Sequence, residues 1–249
     1  MIDVNTDCEI QFGGLIVDFE AREGSEMEHT KTKYRAFGSN NEGYQTFLRS
    51  MHEGIIEPGS TVTQTELCKK MNMSVTPLRE CLVLLEEYGL VEVRPRAGIK
   101  IVYPDISFFR SNMQFRTIIE KSALPSFVEK SEDELLDSLQ LEHIEGREKI
   151  QKLDDISSTV EELAKLDKYL HSNIVEALHN TSISAAHHRL QDNLSLCKLV
   201  HTELTYRQNL IDTYDEHLVL IEAVKERDYN AAIAALNAHL RASTYRMFT

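Results

Sequence analysis

Four residues in the second half of the chain have the types and the spacing expected of metal ligands. Asp167 and His171 are four residues apart, so on a helix they share one face. His217 and His239 each lie three and four residues from apolar side chains, which places them, like His171, on the core-facing stripe of a helix. Burying these polar groups without partners would cost roughly a few kcal/mol each, and one shared divalent cation would remove that cost. The sequence therefore predicts a metal site, although each histidine taken alone is also compatible with a hydrogen-bonded core residue.

Three imidazoles and one carboxylate do not identify the metal, because zinc, nickel and manganese all accept nitrogen and oxygen ligands. Unlike a closed structural zinc site, such a set leaves positions open when the metal is five- or six-coordinate. The four cysteines are too far apart in sequence to form a zinc ribbon or a redox motif. The other histidines follow no comparable pattern and are left out of the predicted site: His29, His52, His143, His179, His187, His188 and His201.

The composition of the 249 residues limits the class of protein that can hold such a site. The chain contains only 10 glycines and 5 prolines, a small share that favours long helices over a turn-rich sandwich or barrel. Hydrophobic residues make up 42% of the chain, enough to form a core. The sequence has neither an apolar run of ~18 residues nor the basic and apolar regions of a secretion signal. We therefore expect a soluble, cytoplasmic protein.

Helical periodicity accounts for the chain after residue 105. Apolar residues recur at helical spacing, with no strand signal, over 105–129, 133–151, 157–179, 183–208, 212–227 and 229–246. These segments predict an all-α six-helix bundle over residues 105–249, with the predicted ligands on three of its helices. At the other end, residues 1–42 form an acidic extension in which two short strands around Gly13-Gly14 predict a β-hairpin, with a disordered tail as the alternative.

A different pattern fills residues 43–104. Three short helical patterns come first; the second opens with a capping box formed by Thr63 and Glu66, and the third runs from Ser74 to Gly89. Two alternating segments at 90–93 and 99–102 are typical of a strand pair. This order predicts a winged helix-turn-helix, so the fold class is mainly α. The block carries as many basic as acidic side chains in a chain of net charge −13, and it is the part that would not repel a polyanion.

Several segments of this block have a distinctive order and spacing: Glu57-Pro58-Gly59-Ser60-Thr61-Val62, Glu66-Leu67, Ser74-Val75-Thr76-Pro77-Leu78-Arg79-Glu80, Gly89-Leu90-Val91 and Gly98. Together they resemble the N-terminal domain of the GntR family of transcriptional regulators. The resemblance implies that the second helix of the motif lies in the major groove and that the hairpin forms a wing near the phosphates. The residues then expected to contact DNA are Ser74, Val75, Thr76 and Arg79 on the helix and Arg94, Arg96, Gly98 and Lys100 on the wing. Lys69 and Lys70 are expected near the DNA backbone.

The match to the GntR family is incomplete at the residues expected to contact the DNA bases. The family usually carries arginine at the positions of Thr65 and Val75, and this chain keeps only Arg79 of that trio. Val75 offers an apolar contact, such as one to a thymine methyl group, in place of a bidentate contact to guanine. The family's typical operator is therefore not expected here. Because one winged helix offers few contacts, we expect a homodimer that binds a short palindromic operator.

The helical half carries a second set of motifs. Asp167-x3-His171 is followed by His217 and, 22 residues later, by His239. Further motifs are Arg116-x3-Glu120, Ala177-Leu178-His179-Asn180 and Asp228-Tyr229-x-Ala231-Ala232. Together they resemble the metal-binding form of the FCD domain in the FadR branch of the family, and six helices resemble its VanR-type subgroup. The resemblance implies that an effector carboxylate takes the open metal positions and that Arg116 lines the pocket, since a guanidinium suits a bidentate carboxylate.

The combined prediction is a ligand-responsive, DNA-binding transcriptional regulator rather than an enzyme. We expect a repressor that a small carboxylate-bearing metabolite releases from its operator. Two alternatives stay open: the metal could itself be the signal, or it could activate a water molecule in a hydrolase. Against the hydrolase, no general base accompanies the ligands as the glutamate does in the helix motif of zinc proteases.

Overall fold

The computed structural model describes residues 41–201 and 206–246, apart from the side chains of Ser157 and Ser158. The hairpin predicted in the N-terminal extension lies outside the described residues. Within them, the fold class is confirmed: the chain is mainly helical, with one small sheet. No described helix is long and apolar enough to cross a membrane.

The first elements form the winged helix-turn-helix: α1 (Glu42–His52), β1 (Thr61–Val62), α2 (Gln64–Lys70), α3 (Val75–Glu87), β2 (Val91–Arg94) and β3 (Gly98–Ile101). The strands are antiparallel in the order β1-β3-β2, so that Ile99 in the central strand pairs with both Val62 and Val93. The sequence predicts β2 and β3 but misses β1, because a two-residue strand is too short to show alternation.

Local sequence signals set the ends of these elements. Thr63 and Glu66 form the predicted capping box: the hydroxyl of Thr63 accepts from the backbone N–H of Glu66 (3.2 Å), and the carboxylate of Glu66 accepts from the N–H of Thr63 (2.7 Å). Ser74 is the N-cap of α3, but its side chain makes no capping hydrogen bond. Gly98 has φ +101, and a Cβ there would lie 2.8 Å from the carbonyl oxygen of Val62, so the entry to β3 requires glycine.

Six helices follow, as predicted: α4 (Ile106–Lys130), α5 (Asp133–Lys152), α6 (Ser157–Glu176), α7 (Thr181–Val200), α8 (Arg207–Lys225) and α9 (Tyr229–Arg246). Helix α8 packs between α5 and α9, while α4 packs against α6, α7 and α9. Leu136, Leu170, Ile174, Leu220 and Leu236 are completely buried in the common core. This packing places α4, α6, α8 and α9 around one centre.

The boundary between α7 and α8 differs from the prediction. The sequence predicts helices over 183–208 and 212–227 with a break near Asn209 and Leu210, and this break is wrong, since α8 already begins at Arg207. Leu210 is buried in the core, and the guanidinium of Arg207 donates to the carbonyl oxygens of Ile150 and Asp154 at the end of α5. These tertiary contacts outweigh the low helix propensity of asparagine.

Replacing Gly43 with alanine should destabilise the winged helix. A Cβ at position 43 of α1 would lie 2.8 Å from the Cβ of Cys81 on α3, so the two helices would have to move apart. We expect the free energy of unfolding to fall by about 1–3 kcal/mol, as measured by chemical denaturation. Thr46→Ala, at a partly exposed position of α1, is the control. Equal stability of the Gly43→Ala variant and the wild type would contradict this close packing.

Candidate metal centre and nucleic-acid interface

The four predicted ligands come together inside the helical bundle. Asp167 and His171 lie one turn apart on α6, His217 lies on α8 and His239 on α9. One nitrogen of each histidine and one oxygen of Asp167 all lie within 4.8 Å of one another. The three histidines are at most 1% exposed. Side chains far apart in sequence thus form one buried polar centre in an apolar core.

The spacing of these atoms fits a single divalent cation. Nε2 of His171 is 3.4 Å from Nε2 of His217, and Oδ1 of Asp167 is 3.5 Å from the latter and 3.7 Å from the former. Two ligand atoms that are each about 2.1 Å from a tetrahedral zinc ion lie about 3.4 Å apart. Nε2 of His239 is buried without a hydrogen-bond partner among the described residues. A nitrogen in this position is suited to ligate a metal.

The opposite ring nitrogens of two of these histidines are held by carboxylates. Nδ1 of His171 lies 2.7 Å from Glu120 on α4, and Nδ1 of His239 lies 2.8 Å from Glu216 on α8. Because an ionised carboxylate only accepts hydrogen bonds, each Nδ1 carries the proton and each Nε2 presents its lone pair to the centre. Histidines that bind metals usually have such a partner.

His217 is oriented by another histidine. Its Nδ1 lies 3.0 Å from Nε2 of His143 on α5, and Nδ1 of His143 lies 2.6 Å from the carbonyl oxygen of Leu139. Since the carbonyl can only accept, His143 donates from Nδ1 and accepts at Nε2, so His217 donates from Nδ1. This Leu139–His143–His217 relay leaves Nε2 of His217 free to face the centre. All three imidazoles therefore present the same nitrogen.

Glu120 joins this centre to Arg116, the residue predicted to bind the effector. The carboxylate is fully buried; one oxygen accepts from Nε of Arg116 (2.7 Å) and from Nε2 of His187 (2.9 Å), and the other accepts from His171. Burial alone would raise the pKa of Glu120, but the Arg116 guanidinium and His171 hold that pKa well below its ordinary value. The carboxylate therefore stays ionised and can orient all three partners.

Arg116 has an unused donor that faces a cavity. The residue is 6% exposed, and its Nη2 makes no hydrogen bond within the described part of the chain, lying 3.7 Å from Oδ2 of Asp167. Both side chains line a cavity of about 480 Å³, which also reaches Leu48 and Arg49 on α1. We call this the central cavity. Its volume is typical of a small-molecule site.

A polar contact links the winged helix to the bundle beside this cavity. The hydroxyl of Tyr44 on α1 donates to Oδ2 of Asp192 on α7 (3.1 Å), and Oδ1 of Asp192 accepts from Nζ of Lys168 on α6 (2.8 Å). Burial and the nearby Asp192 carboxylate raise the pKa of Tyr44 far above its ordinary value, so it remains a donor. Lys168 directly follows Asp167. The centre and the DNA-binding half are thus connected through three side chains.

The predicted recognition residues lie at the start of α3. Ser74 is its N-cap, and Val75, Thr76 and Arg79 are exposed on its first turns. Val75 is 45% exposed although it is apolar. An exposed helix N-terminus with short side chains and one arginine can approach base edges closely.

The wing residues differ in exposure and in their hydrogen bonds to other protein groups. Arg94 is engaged by Glu92 through two hydrogen bonds of 3.0 and 2.8 Å. Arg96 is exposed in the turn between β2 and β3, while Gly98 and Lys100 are partly buried in β3. Of the two lysines expected near the DNA backbone, Lys69 is exposed, whereas Nζ of Lys70 donates to the carbonyl oxygen of Ile55. Arg96 is therefore more available to a phosphate than Arg94.

Two buried histidines outside the predicted ligand set support the centre. His143 orients His217, and His187 donates to Glu120. A signal for His143 exists in the sequence: Leu139 precedes it by four residues and Ile150 follows by seven, the same apolar periodicity that points to His217. No sequence signal shows that His187 reaches Glu120, because the two lie on different helices.

The chain joins a winged helix-turn-helix with an exposed recognition helix to a helical bundle with a cavity and a buried polar centre. This combination defines a DNA-binding regulator with a ligand-sensing domain. Residues 42–101 match the model of bacterial regulatory proteins of the gntR family, and residues 112–242 match the FCD domain. The chain therefore belongs to the gntR family and carries an FCD domain. Regulators of this family bind DNA, and FCD domains bind small-molecule effectors and often a metal. The family comprises transcription regulators and not enzymes.

Known relatives agree with this assignment. The chain is 24% identical over 196 residues to the uncharacterized HTH-type transcriptional regulator YdhC of Bacillus subtilis, covering 79% of this chain and 85% of the relative. It is 25% identical to the HTH-type transcriptional repressor RspR of Escherichia coli, with coverage of 81% and 86%. The solved structure of E. coli McbR/YncC has the same fold, with a TM-score of 0.64 at 18% identity and coverage of 83% and 98%.

The stability of the metal-free protein should fall as the pH is lowered through about 6.5. Burial lowers the pKa of His143 and His239, and burial together with the neighbouring His239 holds that of His217 well below its ordinary value. The unfolded chain therefore takes up protons that the folded chain does not, and this uptake favours unfolding. We expect a loss of up to about 1.4 kcal/mol per pH unit for each of these histidines, measured by denaturation in the presence of a chelator.

A variant separates these histidines from the nearby carboxylates. His217→Gln should make the decline between about pH 7 and about pH 5.5 shallower, since one titrating group is lost. Asp167 and Glu120, whose pKa values lie well below their ordinary ranges, contribute only at lower pH. Identical slopes for the variant and the wild type in this window would contradict the assignment.

Proposed function

We propose that this regulator is a homodimeric repressor that holds one divalent metal ion and leaves a palindromic operator when a small carboxylate-bearing metabolite binds. The observation that carries the proposal is the convergence of four potential ligand atoms beside a cavity that is also lined by Arg116, whose Nη2 lacks a hydrogen-bond partner among the described residues, and that reaches α1. The metal, the effector and the DNA-binding half would then meet at one place. The proposal does not choose among zinc, nickel and manganese.

The donor set supports a resident metal. Asp167, His171, His217 and His239 supply one carboxylate oxygen and three imidazole nitrogens, and each imidazole is already in the tautomer that ligation requires. A bound cation would supply a Lewis-acidic position for an effector oxygen. It would also join α6, α8 and α9, so that its binding free energy adds to the stability of the bundle.

Arg116 supports an effector with a carboxylate. Its Nε is taken by Glu120, but its Nη2 is buried beside the central cavity without a hydrogen-bond partner among the described residues. A buried donor left unpaired costs about 1–3 kcal/mol, which a ligand oxygen would recover. A carboxylate can satisfy a guanidinium and a metal at the same time because it has two oxygens.

Two features support coupling between effector and DNA. Only four residues separate the end of β3 at Ile101 from the start of α4 at Ile106, and α4 carries Arg116. In addition, Tyr44, Asp192 and Lys168 connect α1 to the residue next to Asp167. An effector that loosens DNA must bind the DNA-free form better by the same factor. A coupling of about 2 kcal/mol would weaken operator binding roughly 30-fold.

His217→Ala should lower the metal content and the stability together. The variant removes one of three imidazoles from the centre, so zinc titrated into chelator-treated protein should no longer stabilise it. In the wild type, zinc at a hundred times its Kd adds about 2.7 kcal/mol, which differential scanning fluorimetry and elemental analysis can follow. His188→Ala on α7 is the control, because its side chain is 33% exposed and outside the centre. Full zinc occupancy in purified His217→Ala protein would mean that the ligand set is wrong.

Arg79→Ala should weaken specific operator binding by about 1–3 kcal/mol if the arginine reads a base. The operator is first obtained by genome-wide mapping of bound sites, and affinity is then measured by fluorescence anisotropy at fixed salt. Arg241→Ala, an exposed position on α9, is the control for loss of one positive charge. Unchanged affinity of Arg79→Ala would remove this residue from the interface. Operator release by zinc without any carboxylate would favour a metal-responsive regulator instead.

A further inference from the structure

The central cavity has two ends of different chemistry. At its inner end lie Asp167 and Arg116, next to the metal centre. We call the part lined by Arg49 on α1, which is exposed, and Lys198 on α7, which is partly exposed, its outer end. Apolar side chains also line the cavity: Leu48, Phe109, Met113, Leu163 and Leu194. A ligand in this cavity therefore meets both charged groups and apolar side chains.

Most charged side chains that line the cavity are already paired. Lys165 is bound to Glu161 (2.7 Å), Lys168 to Asp192 (2.8 Å) and Arg246 to Glu216 (2.8 Å). These pairs leave little net charge for a ligand.

Arg49 and Lys198 are different, because the side chain of neither makes an ion pair or a hydrogen bond with any residue that the structure describes. This part of the cavity thus carries two positively charged side chains without an ion-pair partner among the described residues.

The length of the cavity separates these charges from the inner end. The lining residues of α7 run from Gln191, which contacts Lys168 beside Asp167, to Lys198. Seven residues of helix span about 10 Å. A single carboxylate group at the inner end would leave the outer part of a cavity of about 480 Å³ empty.

We infer that the effector is an elongated dianion, with one carboxylate at the inner end and a second anionic group bound by Lys198 and Arg49. This inference rests on the proposed function, which places the first carboxylate beside the metal and Arg116. The second anionic group meets one residue of the bundle and one residue of the DNA-binding half. The ligand therefore contacts the winged helix directly, and its length and its second charge decide which metabolites act as effectors.

The test compares dicarboxylates with monocarboxylates on the full chain loaded with zinc. Isothermal titration calorimetry is run with the linear dicarboxylates from succinate to suberate and with the monocarboxylates of the same carbon number. The best dicarboxylate should bind at least about tenfold more tightly than its monocarboxylate, a difference of about 1.4 kcal/mol. Affinity should pass through an optimum of chain length, because only one length reaches both ends.

Substitutions test which residues bind the second anionic group. Lys198→Met and Arg49→Met should each remove most of the preference for the dicarboxylate and leave monocarboxylate binding within about twofold, since the inner end is intact. Lys165→Met is the matched control: this lysine lines the same cavity but is already paired with Glu161. Its preference for dicarboxylates should equal that of the wild type.

The outcomes separate the two proposals. Equal binding of both series, or an unchanged preference in Lys198→Met and Arg49→Met, would overturn the dianion inference and leave the proposed carboxylate site intact. If zinc-loaded wild type binds neither series, the proposed carboxylate effector itself fails, and the inference with it. A preference lost in both variants and kept in Lys165→Met supports the inference.

Discussion

A single buried carboxylate organises the sensing half of this protein. Glu120 is fully buried, yet Arg116 and His171 hold its pKa well below the ordinary value, and its two oxygens are shared by Arg116, His171 and His187. These partners lie on α4, α6 and α7, so one charge fixes the relative positions of three helices. An ion in such a place is stable only when its hydrogen bonds are satisfied. His171, a proposed metal ligand, and Arg116, the proposed effector residue, therefore share one hydrogen-bonding partner.

The two halves of the chain are also in direct contact. The winged helix does not stand apart from the bundle: Leu196 of α7 is buried in its core, and Tyr44 of α1 reaches Asp192. Asp167, a proposed metal ligand, is adjacent in sequence to Lys168, whose Nζ donates to Asp192. Packed side chains thus connect the polar centre with α1, without a long linker between them.

The sequence predicts the helices and the ligand positions of this architecture better than the contacts between helices. Helical periodicity locates all six helices of the bundle, and the spacing of Asp167, His171, His217 and His239 leads to atoms that do lie together. These features follow from local rules, since a residue's face on a helix depends only on its neighbours in sequence. The break near Leu210 fails because the core and the anchoring of α8 on α5 override local propensity. The contacts of Glu120 with His187 and of Tyr44 with Asp192 depend on how helices pack, which no spacing within one helix reveals.

The relay from Leu139 through His143 to His217 makes the three imidazoles unequal as electron donors. His171 and His239 each donate a hydrogen bond from Nδ1 to a carboxylate, which makes the opposite nitrogen a stronger base. His217 donates from Nδ1 to a neutral imidazole, which itself donates to an uncharged carbonyl. The N–H bond of His217 is therefore less polarised, and its Nε2 donates less electron density. The three imidazoles would therefore be unequal ligands for a cation, with His217 on α8 as the weakest donor.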